Sequence, residues 1–533
     1  MAQNEEMTRV VHAPLLRVRK STLLLALWYG GLVLGGTAVI LSASPWGVGV
    51  RHDSLSYLTA AQSLSRGECL CWLGSGEQPK PLVHFGPLYP TLLALVTLLT
   101  PGVQEAARWT AAFLYGTNLA VWGGLVHLVT RRFWAGAVVS ATLSVSPVLL
   151  EVHDAAMSEP LFLPLLALAL LALTAYVIHG RRRDLWLAAA VVSLALLTRY
   201  AAAPLLLLGV GAVAFLGAAP LRQRLWDSAR FGFAASAPVA IWLTRNYLLA
   251  GTATNRTLRW HPITIDEART FLQVVTAWFT PAKYSHWLEG AVLLGILLGL
   301  TLLFWRSRSR GVGEGKEPAT LGLLLVAWFG LYTLHIAVSK SLMDDSVPIH
   351  NRMFSPVSIA FIALAVLAAA IISQRPRGTW LLLPIAALLL AGPLPYMTRS
   401  YRQKYASMQA EGVGFSGRAW RQSESMAWIR SLPENALVYS NRALMIQFLI
   451  GRPAYQLPEG FDSVKAEARD DFEEQLARMR ADLRRAESYL VVFDPERPAS
   501  PSDLPDVFEE GLRLFRTTRD GFVLKDPTSE EAS

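Results

Sequence analysis

Long apolar runs separated by short polar breaks fill the first three quarters of the chain, and the pattern stops after Met397. The runs lie near 22–41, 105–129, 133–149, 157–178, 185–198, 201–217, 229–249, 286–305, 320–339, 352–373 and 379–397. Most approach the roughly 20 residues that a helix needs to cross a hydrocarbon core of about 30 Å. The pattern therefore predicts a mainly α, polytopic membrane protein with about eleven spanning helices. The runs at 185–198 and 201–217 are short, so a kink or tilt is expected in one of them. Residues 88–100 form a further apolar run, bracketed by Pro87, Pro90 and Pro101. As a helix it reaches only about 20 Å.

Charge decides what that run does. Basic clusters stand at Arg131-Arg132, Arg181-Arg182-Arg183, Arg222/Arg224, Arg306/Arg308/Arg310 and Arg375/Arg377, and the tail carrying Arg17, Arg19 and Lys20 is also basic. The positive-inside rule places all of them in the cytoplasm. Eleven spans satisfy that only if 88–100 lies at the interface or re-enters. If it crossed, every cluster from Arg131 onward would change sides. Composition agrees: 53% of the residues are hydrophobic and only 17% charged, against roughly 25% charged in soluble domains. The net charge of +9 then reports cytoplasmic loops rather than a nucleic-acid partner. The first run follows basic residues but is too long for a signal-peptide core, so it is read as a spanning helix.

This topology gathers the unusual polar residues on the outer side. Asp53, Lys80 and His84 fall in the first outer loop, 42–104. Glu151, His153, Asp154 and Glu159 fall in the second. Arg199 and Tyr200 occupy a turn, Arg245 and Asn246 a helix end, and Asp344, Asp345, His350, Asn351 and Arg352 the last outer loop. Ionisable groups at membrane depth are costly and mark pathways or sites. Within the first loop, Tyr57, Ala60, Ala61 and Leu64 recur at helical spacing and Gly67 closes the run, so a surface helix is expected with Asp53 at its N-terminal end. The helix dipole favours a carboxylate there, whether as a reactive group or as a cap. In the loop 250–285, Thr264 and Glu267 form a capping box before an amphipathic stretch, read as a surface helix or a lid. Asn255-Arg256-Thr257 matches a glycosylation triplet, a pattern too short to carry weight. Cys69 and Cys71 are too few for a disulfide framework or a structural zinc site; they are free thiols or a strained local bridge.

Residues 398–533 read as a separate soluble α/β unit outside the membrane, after a membrane domain at 1–397. Strands are expected at 436–440, 489–493 and 521–524, with helices at 423–432 and 464–487, giving a small, mainly parallel sheet. No Gly-rich phosphate loop is present, so no nucleotide is assigned.

An Asp opening a surface helix after the first span, as Asp53…Tyr57…Ala61…Leu64…Gly67, resembles the first outer loop of the glycosyltransferase C superfamily, which includes the bacterial aminoarabinose transferases and the protein O-mannosyltransferases. Pro87-Leu88-Tyr89-Pro90 resembles the start of that family's interfacial helix. Met157-Ser158-Glu159-Pro160-Leu161-Phe162 resembles its later acidic motif, and Leu197-Thr198-Arg199-Tyr200 and Arg245-Asn246-Tyr247 resemble two further segments. The resemblance spans about residues 20–400. It implies an inverting transfer of a sugar from a polyprenyl-phosphate donor in the outer leaflet to an acceptor hydroxyl on a lipid, glycan or protein. Such a reaction needs a carboxylate base and cations for the departing phosphate. Asp53 is the candidate base and Glu159 the second candidate catalytic acid. Lys80, Arg199, Arg245 and Arg352 are candidate phosphate ligands. Tyr57, His84, His153 and Asp154 are further candidate substrate contacts.

Two departures stand out. The lipid A branch carries Lys-Pro-Pro where this chain has Phe85-Gly86-Pro87, with His84 and Lys80 upstream. Metal-using branches show paired acids where this chain has Asp53-Ser54-Leu55, so neither metal nor other cofactor is expected. The rival readings are a secondary transporter and a non-catalytic envelope scaffold. No repeated halves are visible, and the polar groups gather at one face rather than the midplane, which favours the transferase of a bacterial-type inner membrane.

Overall fold

A computed structural model describes residues 20–74, 79–256, 258–278, 286–310, 315–342, 349–374, 392–462, 467–485, 487–497, 499–500 and 504–530. Several sequence expectations fall outside these residues: the basic tail before Lys20, Thr257 of the glycosylation triplet, Asp344 and Asp345, Arg375 and Arg377, and most of the run 379–397.

The first helices run α1 Lys20–Ala43, α2 His52–Ser65, α3 Leu88–Thr97, α4 Val103–Thr130, α5 Phe133–Ser144, α6 Pro147–Val152 and α7 Glu159–His179. They continue as α8 Arg182–Thr198, α9 Ala203–Gly211, α10 Leu221–Ala250, α11 Ile265–Thr276, α12 His286–Arg310, α13 Lys316–Leu342 and α14 Asn351–Ile372. Among the described residues six helices are long and apolar enough to cross a membrane, those within α1, α4, α7, α12, α13 and α14. The chain is an integral membrane protein. Helix α3 has 10 residues, about 15 Å at 1.5 Å per residue, far short of a crossing.

The run expected as one span over 133–149 is broken. Ser146 accepts a hydrogen bond from the Leu149 N–H at 3.2 Å and Pro147 restarts the chain as α6, the arrangement a serine cap followed by proline favours. The run over 201–217 is also irregular, passing from a 3-10 turn at Tyr200–Ala202 through α9 into a π turn at Ala212–Leu216. Helix α8 is 17 residues long. Helix α11 carries the expected capping box between Thr264 and Glu267.

Side-chain ties identify the two ends of the bundle. At one end Arg132 donates to Ser373 Oγ (3.0 Å), His179 lies 3.5 Å from Glu317, and Arg308 donates to the Leu216 carbonyl. At the other end α2, α3 and the loops before α7, after α8 and before α14 converge. The bundle core between the ends is apolar and aromatic, with Phe162, Trp328 and Tyr332 in ring contact.

The C-terminal part holds a five-stranded sheet in the order β4-β3-β7-β9-β8, from β3 Leu437–Ser440, β4 Tyr455–Gln456, β7 Ser488–Phe493, β8 Arg513–Thr517 and β9 Gly521–Lys525. Two short hairpins, β1 Cys71–Trp72 with β2 Lys80–Pro81 and β5 Phe461–Asp462 with β6 Glu467–Ala468, lie elsewhere. The sheet is mixed rather than mainly parallel: β3 runs parallel to β4 and β7, while β9 is antiparallel to both β7 and β8. The tight return at Thr518–Asp520 allows β8 and β9 only the antiparallel pairing. Strand β7 alternates with period two. Tyr489, Val491 and Phe493 join a core with α2, α3 and the helix Ala443–Ile450. Leu490 and Val492 join a second core with the helix Phe472–Leu483. The C-terminal sheet therefore packs directly on the layer that carries Asp53. The helix Leu394–Glu411 runs across the expected 397/398 boundary and joins the two parts.

Candidate functional site

Helix α2 starts with Arg51 as its extended N-cap residue, which makes no side-chain cap bond. Asp53 stands in the first turn and does not cap the helix. Its carboxylate turns instead to Arg352 Nη2 at 3.2 Å. Arg352 is in the first turn of α14, whose N-terminus is closed by His350 Nδ1 accepting from the Met353 N–H. The same guanidinium reaches Glu159 Oε1 at 3.5 Å through Nε and Met157 Sδ at 3.5 Å through Nη1. Glu159 opens α7, and its other oxygen lies 2.6 Å from Arg199 Nη1. Arg199 also donates to Ser158 Oγ (3.0 Å), which lies 3.0 Å from the Tyr57 hydroxyl.

Four of the expected residues thus form one chain, Asp53–Arg352–Glu159–Arg199, with Tyr57 attached through Ser158. The gradient of exposure along it is informative. The Glu159 side chain is 2% exposed, Arg352 17%, Arg199 20% and Asp53 40%. One carboxylate is sealed between two guanidiniums, and the other faces open space. Burial raises the Tyr57 phenol well above its ordinary value, so it remains a neutral hydrogen-bonding group.

The remaining candidates sit differently. Arg245 donates to the Leu82 carbonyl and to Asn246 Oδ1, both at 3.0 Å, with its guanidinium 4.6 Å from the Trp242 ring centre. It braces the loop rather than joining the carboxylates. Asn246 and Tyr200 bond the carbonyls of Val83 and Phe85 in the same loop. His84 lies 3.4 Å from Ser56 Oγ and packs on Trp72 and Phe85. Burial lowers its pKa to about 4, opposed by nearby Asp53, so at neutral pH it is a polar neighbour and not a phosphate cation. Lys80 is exposed on β2.

His153 and Asp154, expected as substrate contacts in a loop, are both buried. His153 Nδ1 lies 2.7 Å from the Leu149 carbonyl and Nε2 lies 3.2 Å from the Asn118 amide nitrogen. Both ring nitrogens are used, and burial lowers the imidazole to about 4. It ties α4 to α6. Asp154 is bound by Arg51 at 3.0 Å and Lys404 at 2.7 Å, neither of which the sequence reading selected. Arg51 is marked in the sequence as a neighbour of Asp53, but nothing local pairs it with Asp154, 103 residues on; Lys404 sits in a charged helix with no local signal. Cys69 and Cys71 form a disulfide. Among the described residues no group of three or more His, Cys, Asp or Glu side chains is placed to hold a metal ion.

A small apolar cleft of about 140 Å³ opens beside the chain neighbour of Arg352, Asn351, and follows one face of α14 past Ser358, Phe361, Ile362 and Ala365.

The helical bundle, the short interfacial-type helix and the C-terminal sheet make up a membrane-protein fold that is shared with solved structures. The chain is similar to ArnT from Cupriavidus metallidurans in its apo state, with a TM-score of 0.56 over 94% of this chain and 98% of that one at 12% identity. The same protein bound to undecaprenyl phosphate gives 0.55 over 95% and 99%, again at 12% identity. The apo oligosaccharyltransferase of Archaeoglobus fulgidus gives 0.47 over 88% of this chain and 70% of that one at 12% identity. Likeness at this identity is a likeness of fold. No protein-family model matches the sequence, and no curated protein matches it.

Proposed function

We propose that this protein is an integral membrane glycosyltransferase that moves a sugar from a polyprenyl phosphate to an acceptor hydroxyl on the outer face of the membrane, with inversion. The observation that carries the reading is the Asp53–Arg352–Glu159–Arg199 chain, in which one open carboxylate is paired with a cation that a sealed carboxylate holds in place. Similarity to a protein solved with undecaprenyl phosphate supports the donor class.

The roles follow from the exposure gradient. The donor phosphate approaches Arg352 from the open side and replaces Asp53 as its partner. Charge-assisted bonds to phosphate are strong and short, whereas the Asp53 contact is a loose 3.2 Å. The freed Asp53 carboxylate takes the acceptor hydroxyl proton. The acceptor oxygen attacks the anomeric carbon, the carbon–oxygen bond to phosphate breaks, and its electron pair leaves on the phosphate oxygen. Arg352 and Arg199 stabilise that charge from positions Glu159 has fixed in advance. The small apolar cleft along α14 has room for a short stretch of a polyprenyl tail.

Asp53→Asn tests the assignment. Loss of a general base slows transfer by roughly 100- to 10,000-fold, and donor binding survives because the phosphate contacts are cations. Transfer near the wild-type rate in purified Asp53→Asn protein, with a polyprenyl-phosphate sugar and a mixture of lipid and glycan acceptors, would remove Asp53 as the base.

A further inference from the structure

Three segments far apart in sequence meet immediately before Asp53. The stretch Val48–Val50 leads into α2. On one side the Gly49 N–H donates to the Asp154 carbonyl and the Ala156 N–H to the Gly49 carbonyl, both at 2.8 Å. On the other side the Phe415 N–H donates to the Val50 carbonyl at 2.9 Å and Ser416 Oγ to the Val48 carbonyl at 2.7 Å. Both pairings are parallel bridges, Gly49 with Ala155 and Val50 with Gly414. The approach is close enough to require glycine. A Cβ on Gly49 would lie 2.6 Å from the Asp154 carbonyl oxygen, and one on Gly414, at φ +57°, 2.3 Å from that of Val50.

The Asp154 side chain closes the same junction. Its carboxylate is fully buried and accepts from Arg51 Nη2 at 3.0 and 3.1 Å and from Lys404 Nζ at 2.7 Å. Arg51 is the residue whose carbonyl receives the Leu55 N–H at 3.1 Å, an opening bond of α2. Lys404 comes from the helix Leu394–Glu411, which leads into the C-terminal sheet. A buried carboxylate needs its cations, so the ion triad fixes where Arg51 sits, and Arg51 is two residues from Asp53.

We propose that Lys404 and Asp154 are positioning residues for Asp53: through Arg51 they hold the first turn of α2, so that the C-terminal part of the chain sets the aim of the base. The proposal rests on the reading of Asp53 above. Arg51 is 31% exposed along its side chain, so with one partner fewer on Asp154 the triad no longer has a single arrangement. A displacement of about 1 Å at a reacting group can lower the rate by about 100-fold.

The test compares Lys404→Met and Lys404→Arg, each alone and combined with Asp53→Asn, by kcat, by KM for a polyprenyl-phosphate sugar and by thermal midpoint. Lys404→Met is expected to lower kcat by roughly 10- to 100-fold with KM changed less than about twofold, and Lys404→Arg to recover most of the rate. In the Asp53→Asn background Lys404→Met adds no further loss, because groups acting through one another are not additive. Wild-type kcat in Lys404→Met, an equal further loss in the Asp53→Asn background, or a loss that Arg does not rescue and that follows the thermal midpoint would each overturn the positioning role. Should Lys404→Met fail to fold, Arg51→Lys carries the same cycle: a kcat loss that vanishes in the Asp53→Asn background is expected, and wild-type kcat or an equal further loss in that background overturns the role. Wild-type transfer by Asp53→Asn alone would remove the base assignment, an outcome separate from any Lys404 result.

Discussion

Replacing Glu159 with Gln keeps the shape of the side chain and removes the one sealed negative charge of the site. Its two oxygens stand 2.6 Å from Arg199 and 3.5 Å from Arg352. Removing one partner from a buried ion pair typically costs about 3–5 kcal/mol, because the charge left behind is uncompensated. Here the guanidiniums keep 17–20% exposure and Arg352 retains Asp53, so the low end applies and the variant should lose about 3 kcal/mol. The same substitution leaves two cations facing an approaching phosphate with one carboxylate fewer to compete. Polyprenyl phosphate should therefore bind the variant more tightly and restore part of the lost stability, since a ligand stabilises by RT ln(1 + [L]/Kd). The assay is thermal unfolding in detergent with and without polyprenyl phosphate. The wild-type protein is expected to unfold at the higher temperature, and the variant to gain the larger shift on adding lipid. Equal midpoints without lipid, or equal shifts with it, would refute the electrostatic reasoning.

Two further expectations concern the supports of the site. A Cβ on Gly86 would lie 2.2 Å from the Leu197 carbonyl oxygen, so Gly86→Ala should destabilise by about 1–3 kcal/mol and weaken polyprenyl-phosphate binding by displacing Arg199, as read by thermal unfolding and lipid titration. His153 is held near pKa 4 by burial against about 6.5 in the unfolded chain, so the unfolded state takes the proton first: stability from this group is complete above pH 6.5 and falls by about 3 kcal/mol as pH drops to 4. His153→Gln should flatten the pH dependence of unfolding in that window, and an unchanged slope would contradict the buried neutral ring.

Much of the scaffold was readable because it rests on local rules. The prolines around 88–100 limited that run, and the structure gives a ten-residue helix. Thr264 and Glu267 announced a capping box that is present. The break at Ser146-Pro147 shows a serine–proline start signal prevailing inside an apolar run that length alone reads as one span. What stayed hidden is long-range. Asp53 and Arg352 are 299 residues apart, and no periodicity pairs them. His153 and Asp154 read as polar turn residues, and only the packed structure shows that each is buried with its partners. Strand β8 was missed because its five residues are exposed at a sheet edge, so it lacks the alternation that marks a half-buried strand.

The charge balance of the site bears on why a base should rest against a cation at all. Asp53, Glu159, Arg352 and Arg199 sum to zero with both acids ionised. In the proposed reaction the donor phosphate carries one negative charge and gains a second as it leaves. Asp53 loses its charge at the same moment by taking the acceptor proton. The attraction of Arg352 for Asp53 then disappears as its attraction for phosphate grows, and no side chain need move far to follow the transfer. Glu159 cannot play the first part: at 2% exposure it has no opening to an acceptor hydroxyl. Nor can Asp53 play the second, since a carboxylate open to solvent is screened and would hold two guanidiniums only loosely. The division between one sealed and one half-exposed carboxylate therefore follows from where each sits, Glu159 among the helices at the start of α7 and Asp53 in the first turn of an otherwise buried α2.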